Sequence, residues 1–149
     1  MARKIKVFLD TSALFAGIWS AEGGARMMLK LGEAGVIGSL VSPQVLTEIE
    51  RSLREKAPDS LGKLALLLDK SGAEVLPAAA PGVLERCQAI VPHPGDAQVI
   101  ASAWNSQAEY FVTLDQKHFL ANEPLRDMAP FIIGTPGDFL AWLRERLST

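Results

Sequence analysis

The sequence predicts a parallel α/β protein, and three features carry that prediction. Short apolar runs alternate along the chain with longer amphipathic stretches, the pattern of strands joined by crossover helices. Prolines stand where helices should open, at Ser42-Pro43, Pro81, Pro94 and Thr135-Pro136. The 149 residues hold no internal repeat, low-complexity tract or Ser/Gly linker, so one domain spanning residues 1–149 is expected, long enough to bury a core. The architecture expected is a three-layer α/β/α sandwich around a central parallel sheet.

The elements follow in order. Strands are expected at residues 5–9, 36–41, 73–76, 110–113 and 131–133, the second interrupted by Gly38. A helical stretch from Ser12 to about Leu31 is broken around Gly23-Gly24. Ser42 caps a helix running to about Lys56, with Pro43 at its first position. Asp59 or Ser60 starts the next, which ends near Ser71-Gly72 with the glycine placed for a left-handed cap. Pro81 opens a helix reaching Val91, and Pro94 opens one reaching about Gln107. The last helix carries Phe139, Leu140, Leu143 and Leu147 at helical spacing.

Composition narrows the class. With 48% hydrophobic and 21% charged residues the chain reads as an ordinary soluble globular protein. The single cysteine, Cys87, allows no internal disulfide and suits helix packing in a reducing cytoplasm. The apolar run after Met1-Ala2-Arg3-Lys4 is too short for a signal core or a membrane span. Net charge is −2, so no bulk positive field draws nucleic acid, and Arg3, Lys4 and Lys6 make only a small basic patch.

Function enters through the acids. Ligands of an open parallel sheet bind at the carboxyl ends of its strands. Asp10 directly follows Val7-Phe8-Leu9, and Asp115 follows Tyr110-Phe111-Val112-Thr113 by two residues. Asp96 lies on the apolar stripe of Val99, Ile100 and Ala103, at the helix end nearest the same edge. Helical phase does not separate Glu48 from Glu50. Each acid has a plainer role: Asp10 and Asp115 as turn formers, Asp96 as a helix cap. Together they describe a carboxylate cluster whose repulsion a hard cation would relieve, which favours Mg²⁺ or Mn²⁺. Such an ion lowers the pKa of a bound water and stabilises charge on a phosphate, the needs of in-line phosphodiester hydrolysis without a covalent enzyme intermediate.

Four segments then resemble the PIN-domain family. Val7-Phe8-Leu9-Asp10-Thr11-Ser12 resembles its opening motif, and Ser42-Pro43-Gln44-Val45-Leu46-Thr47-Glu48 its second. Gly95 to Ala103 resembles the third, and Tyr110 to Phe119, with Thr113-Leu114-Asp115 inside it, the fourth. The resemblance selects Glu48 over Glu50 and implies a Mg²⁺- or Mn²⁺-dependent ribonuclease held by Asp10, Asp96 and Asp115, with Glu48 ligating directly or through water. RNA over DNA as substrate rests on it alone. It also implies a toxin of the VapC-like toxin–antitoxin type, with an antitoxin partner and a homodimer. Where many relatives carry a further acid, this chain has His118, which favours one metal ion over two.

Other residues fill supporting places. Thr11, Ser12 and Thr113 stand beside the acids and could orient them, or serve as local caps. Lys117 and His118 could touch substrate phosphate, whereas His93, between two prolines, reads as a loop residue. Trp104 and Trp142 read as core or interface aromatics, and Trp19 as a loop residue able to face a partner. Two other functions compete. A non-catalytic scaffold of the same fold would use the surface and not the acids. A phosphatase-like hydrolase would need a second acid at position 12, which is Ser. No G-x-G-x-x-G follows the first strand, so a dinucleotide-binding domain is disfavoured.

Overall fold

The computed structural model describes residues 4–148. Arg3 of the basic N-terminal patch lies outside them, and Lys4 and Lys6 are exposed. Five strands form one parallel sheet: β1 (Ile5–Leu9), β2 (Ile37–Val41), β3 (Glu74–Val75), β4 (Tyr110–Val112) and β5 (Ile132–Gly134). Their order is β3-β2-β1-β4-β5. The chain winds outward from β1 through β2 to β3, then crosses back to β4 on the other side of β1. Right-handed crossovers in opposite directions put their helices on opposite faces of the sheet. The result is the expected layering of helices, parallel sheet and helices.

On one side run α1 (Thr11–Trp19), α2 (Gly24–Glu33), α3 (Pro43–Lys56) and α4 (Leu61–Ser71), with α2 also packed on the final helix α8 (Pro136–Leu147). The return crossover supplies α5 (Pro81–Ile90) and α6 (Pro94–Asn105), which pack on each other. The two central strands are apolar on both faces because both faces are covered. Val7, Phe8, Leu9, Tyr110, Phe111 and Val112 are all buried. Phe8 stacks on Phe111 with centroids 5.3 Å apart, and Phe111 meets Phe119 and Phe131 in turn. Trp104 packs on Phe131 and Trp142 on Tyr110, so both are half-buried aromatics packed against the core.

Local signals account for most element ends. Ser42 accepts from the Val45 amide ahead of Pro43, and Thr135 forms a reciprocal capping box with Asp138. Gly72 ends α4 in the left-handed region at φ 67°. Arg26 donates to the Gly17 and Ile18 carbonyls, closing the C-terminus of α1. Gly38 does not interrupt β2: it pairs with Lys6 in unbroken register. Trp19 is the last residue of α1 and not part of a loop. The segment after Asp115 holds a π-helical turn (Gln116–Leu120) and a short helix, α7 (Glu123–Met128). Neither carries enough apolar periodicity to be foreseen. Cys87 is buried in α5, and burial pushes its thiol up to about 11, in keeping with a packing role. Among the described residues, no helix is long and apolar enough to cross a membrane.

Candidate active site

The parallel register aligns the first and fourth strands so that both end at one edge. Leu9 pairs with Val112, and the Asp10 amide donates to the Val112 carbonyl at 3.0 Å. Thr113 continues the ladder toward β5 by donating its amide to Gly134. Asp10 and Thr113 therefore lie side by side at the carboxyl edge of the sheet. Thr113 Oγ1 donates to Asp10 Oδ2 at 2.7 Å and accepts from the Asp115 amide at 3.0 Å. One buried hydroxyl thus sets two acids. Ser12 Oγ also donates to Asp10 Oδ2, at 3.2 Å, and accepts from the Leu114 amide at 2.9 Å. This ties α1 to the loop after β4.

Asp10 occupies the cap position of α1, yet its side chain makes no capping bond and turns into the site. It is 5% exposed. Burial raises its carboxyl from 3.8 to about 6, against hydrogen bonds from Thr113, the Thr11 backbone and Ser12, and with a smaller push from Glu48.

The other three acids reach the same place from other elements. Glu48, on α3, accepts from Thr11 Oγ1 at 2.7 Å and from Gln44 Nε2 at 2.9 Å. Glu50 points elsewhere and pairs with Arg54 on the exposed side of α3. Asp96 is not the cap of α6. His93 holds that position, with Nδ1 accepting from the Asp96 amide, and the Asp96 carboxylate lines the cleft with Oδ2 3.4 Å from the same His93 nitrogen. Burial raises the Asp96 carboxyl, and Asp115 and Glu48 add to the rise while His118 and His93 oppose it. Asp115 accepts from the His118 amide through Oδ1 and meets His118 Nδ1 at 2.9 Å through Oδ2.

A cleft of about 340 Å³ is walled by Asp10, Glu48, Asp96 and Asp115 together with Thr11 and Ser12. Phe15, Ser52, Lys56 and Phe119 complete its lining. A more apolar pocket containing Pro43, Leu84 and Gln98 adjoins it through Gln44 and holds none of the four acids.

The donor set has the chemistry of a hard divalent cation's ligands: four carboxylates and neighbouring hydroxyls, all oxygen. The carboxylates nonetheless stand apart across the cleft. Among the described residues, no three Asp, Glu, His or Cys side chains are arranged to hold a metal ion. His118, half-buried at the edge of the cleft, bonds Asp115 through Nδ1, which also lies 3.7 Å from Asp96. Its ring bonds an acid directly instead of projecting from an exposed loop. Lys117 is exposed and does not line the cleft.

Sequence reasoning gave no site role to Gln44, Phe15 or Lys56, and it read His93 as a loop residue without foreseeing that it caps α6. Gln44 and Lys56 share helical phase with Glu48, at four residues before and eight after, and that spacing was the available signal.

An open parallel sheet with acids gathered at its carboxyl edge defines the class: an α/β protein with its candidate site at the strand ends. A PIN domain family model matches residues 6–117 of the 149, and the chain belongs to the PIN-domain family. Among solved structures, the fold is similar to a chain in the crystal structure of VapBC2 from Rickettsia felis bound to a DNA fragment from their promoter. That match has a TM-score of 0.66 at 16% identity, over 87% of this chain and 97% of the other. It is equally similar, at TM-score 0.66 and 14% identity, to a chain of DNA-bound VapBC from Salmonella typhimurium, over 89% and 98% of the two chains. No curated protein matches the sequence.

Proposed function

We propose that this protein is a Mg²⁺- or Mn²⁺-dependent endoribonuclease, the toxin half of a toxin–antitoxin pair. The observation that carries the reading is that Asp10, Glu48, Asp96 and Asp115, from four separate elements, all line one cleft at the carboxyl edge of the sheet. Asp10, Asp96 and Asp115 would hold the metal, with Glu48 ligating it directly or through water. When bound, the ion supplies a water activated at neutral pH and positive charge against the phosphate.

The chain's own residues do the rest. Thr113 and Ser12 aim the Asp10 carboxylate, and Thr11 and Gln44 fix Glu48. Buried Asp10 keeps its proton to a higher pH than an ordinary carboxyl, so a cation held there would have to displace that proton below about pH 6. The His118 ring and backbone amide hold both oxygens of Asp115, fixing the orientation in which that carboxylate would meet a cation.

The two structural neighbours are named as VapBC complexes with DNA, which supports an antitoxin as the protein partner. The same reading expects a homodimer in the cytoplasm, to be sized by sedimentation. The deciding experiment incubates the purified protein with single-stranded RNA and DNA, in Mn²⁺, Mg²⁺ or EDTA, beside Asp10→Asn. Metal-dependent cleavage that disappears in EDTA and in the variant supports the reading. An inert wild type that also binds no metal by calorimetry would leave a protein-contact scaffold in its place.

A further inference from the structure

The four acids account for the inner half of the cleft but leave its outer half without a role. We propose that the α1 and α3 faces leading out of the cleft form a binding track for single-stranded nucleic acid, with Trp19 stacking a base and Lys56 holding a phosphate. The proposal rests on the nuclease reading for its ligand class and extends it to how the strand is held.

Two helices present matching ladders. On α1, Thr11, Phe15 and Trp19 recur every four residues, and on α3 Glu48, Ser52 and Lys56 do the same. The helices pack together, and the ladders touch at two levels, Thr11 with Glu48 and Phe15 with Lys56. At the inner end Thr11 donates to Glu48. At the outer end Lys56 Nζ lies 5.7 Å from the Phe15 ring centroid. Eight residues of helix at about 1.5 Å each carry the ladder about 12 Å from the acids, room for a few nucleotides.

Charge changes along the same path. The inner end is acidic, the middle carries Ser52 and Phe15, and Lys56 brings a positive charge to the lining at the outer end. A polyanion entering this cleft is repelled by the bare acids and attracted by the ammonium, so a phosphate a few nucleotides along the strand from the scissile one settles at Lys56.

The aromatic geometry specifies an unpaired base. Phe15 and Trp19 lie nearly parallel, at 12° with centroids 6.1 Å apart, and Trp19 is 58% exposed. Trp104 packs against Phe131 and Trp142 against Tyr110, but Trp19 leaves an indole in water at the end of a stack that begins in the cleft. Bases stack on such a platform whatever their identity, and only an unpaired base offers a free face to it.

The test is fluorescence anisotropy with an end-labelled single-stranded RNA and the full chain. The parent protein carries Asp10→Asn so that bound strands stay intact. Trp19→Ala should weaken binding about 5- to 100-fold, the worth of one stacked base, and Trp19→Phe should restore most of it. An abasic strand of equal length should bind the parent and Trp19→Ala alike. Lys56→Gln should lower the slope of log K against log salt by about 0.7, one phosphate contact on a single strand.

Unchanged binding by Trp19→Ala, or an equal loss on the abasic strand, would overturn the proposal and turn the exposed indole over to a protein partner. Cleavage by the wild-type chain in Mn²⁺ is read in parallel. Cleavage with Trp19-independent binding removes the track and keeps the nuclease. Trp19-dependent binding without cleavage does the reverse.

Discussion

Replacing Asp10 with Asn should abolish metal-dependent activity and at the same time make the metal-free protein more stable above pH 6. Asp10 is nearly fully buried, and burial holds its carboxyl at about 6 instead of 3.8. Below about pH 4 it is protonated in both folded and unfolded chains. Between 4 and 6 the unfolded chain has released a proton that the fold still retains. Raising the pH through this window therefore favours unfolding, and stability declines until it levels off above the folded value. The interval from 3.8 to about 6, at about 1.4 kcal/mol per pH unit, makes this loss about 3 kcal/mol.

Asn has no proton to lose. Its amide oxygen can take the place of Oδ2, which receives both the Thr113 and Ser12 hydroxyls. At 149 residues, about 3 kcal/mol corresponds to a rise in Tm of roughly 6–12 °C. The assay is a set of thermal melts in EDTA from pH 4 to pH 8 on both proteins. The curves should converge near pH 4 and separate by pH 7, and Mn²⁺ should raise the Tm of the wild type more than that of the variant. A variant less stable than wild type at pH 7, or a constant gap across the range, would refute the burial argument.

Other expectations follow from single contacts. Glu48→Gln should lose most of the cleavage activity seen in Mn²⁺, whereas Glu50→Gln should keep it and shift stability by under about 1 kcal/mol, since Glu50 makes only an exposed pair with Arg54. Thr113→Val removes the hydroxyl that donates to Asp10 and accepts from the Asp115 amide, at a cost of about 1–3 kcal/mol in denaturant melts and with weaker Mn²⁺ binding by calorimetry. Gly32→Ala would put a Cβ 2.7 Å from the Ser71 carbonyl oxygen, so α2 and α4 must move apart, and urea unfolding should show a loss of about 1–3 kcal/mol.

Much of the fold was legible because its signals are local. The unbroken apolar runs at Val7–Leu9 and Tyr110–Val112 mark strands covered on both faces, and Ser42-Pro43 and Thr135-Pro136 write helix starts into adjacent residues. Gly72 announced a left-handed stop for the same reason. The turn and short helix after Asp115 were not legible, because neither buries a periodic face long enough to register; Phe119 and Leu125 are their buried anchors.

For the candidate site, the sequence by itself determined which acids end strands: the parallel rule places Asp10 and Asp115 at one edge, and this follows from chain order alone. It could not separate Glu48 from Glu50 by phase. Tertiary structure did, because the packing of α1 on α3 turns Glu48 onto Thr11 and leaves Glu50 in solvent. It could not tell a capping Asp96 from one facing the site, since both roles use the same first turn. The His93 cap decided that, and it depends on a ring rotamer that no spacing encodes. The place of His118 between Asp115 and Asp96 was equally out of reach, because it joins a loop after β4 to the start of α6, brought together only when the return crossover closes over the sheet. Residue type and order fix the edge on which a charge falls. Which charges meet there is fixed by packing between elements distant in the chain.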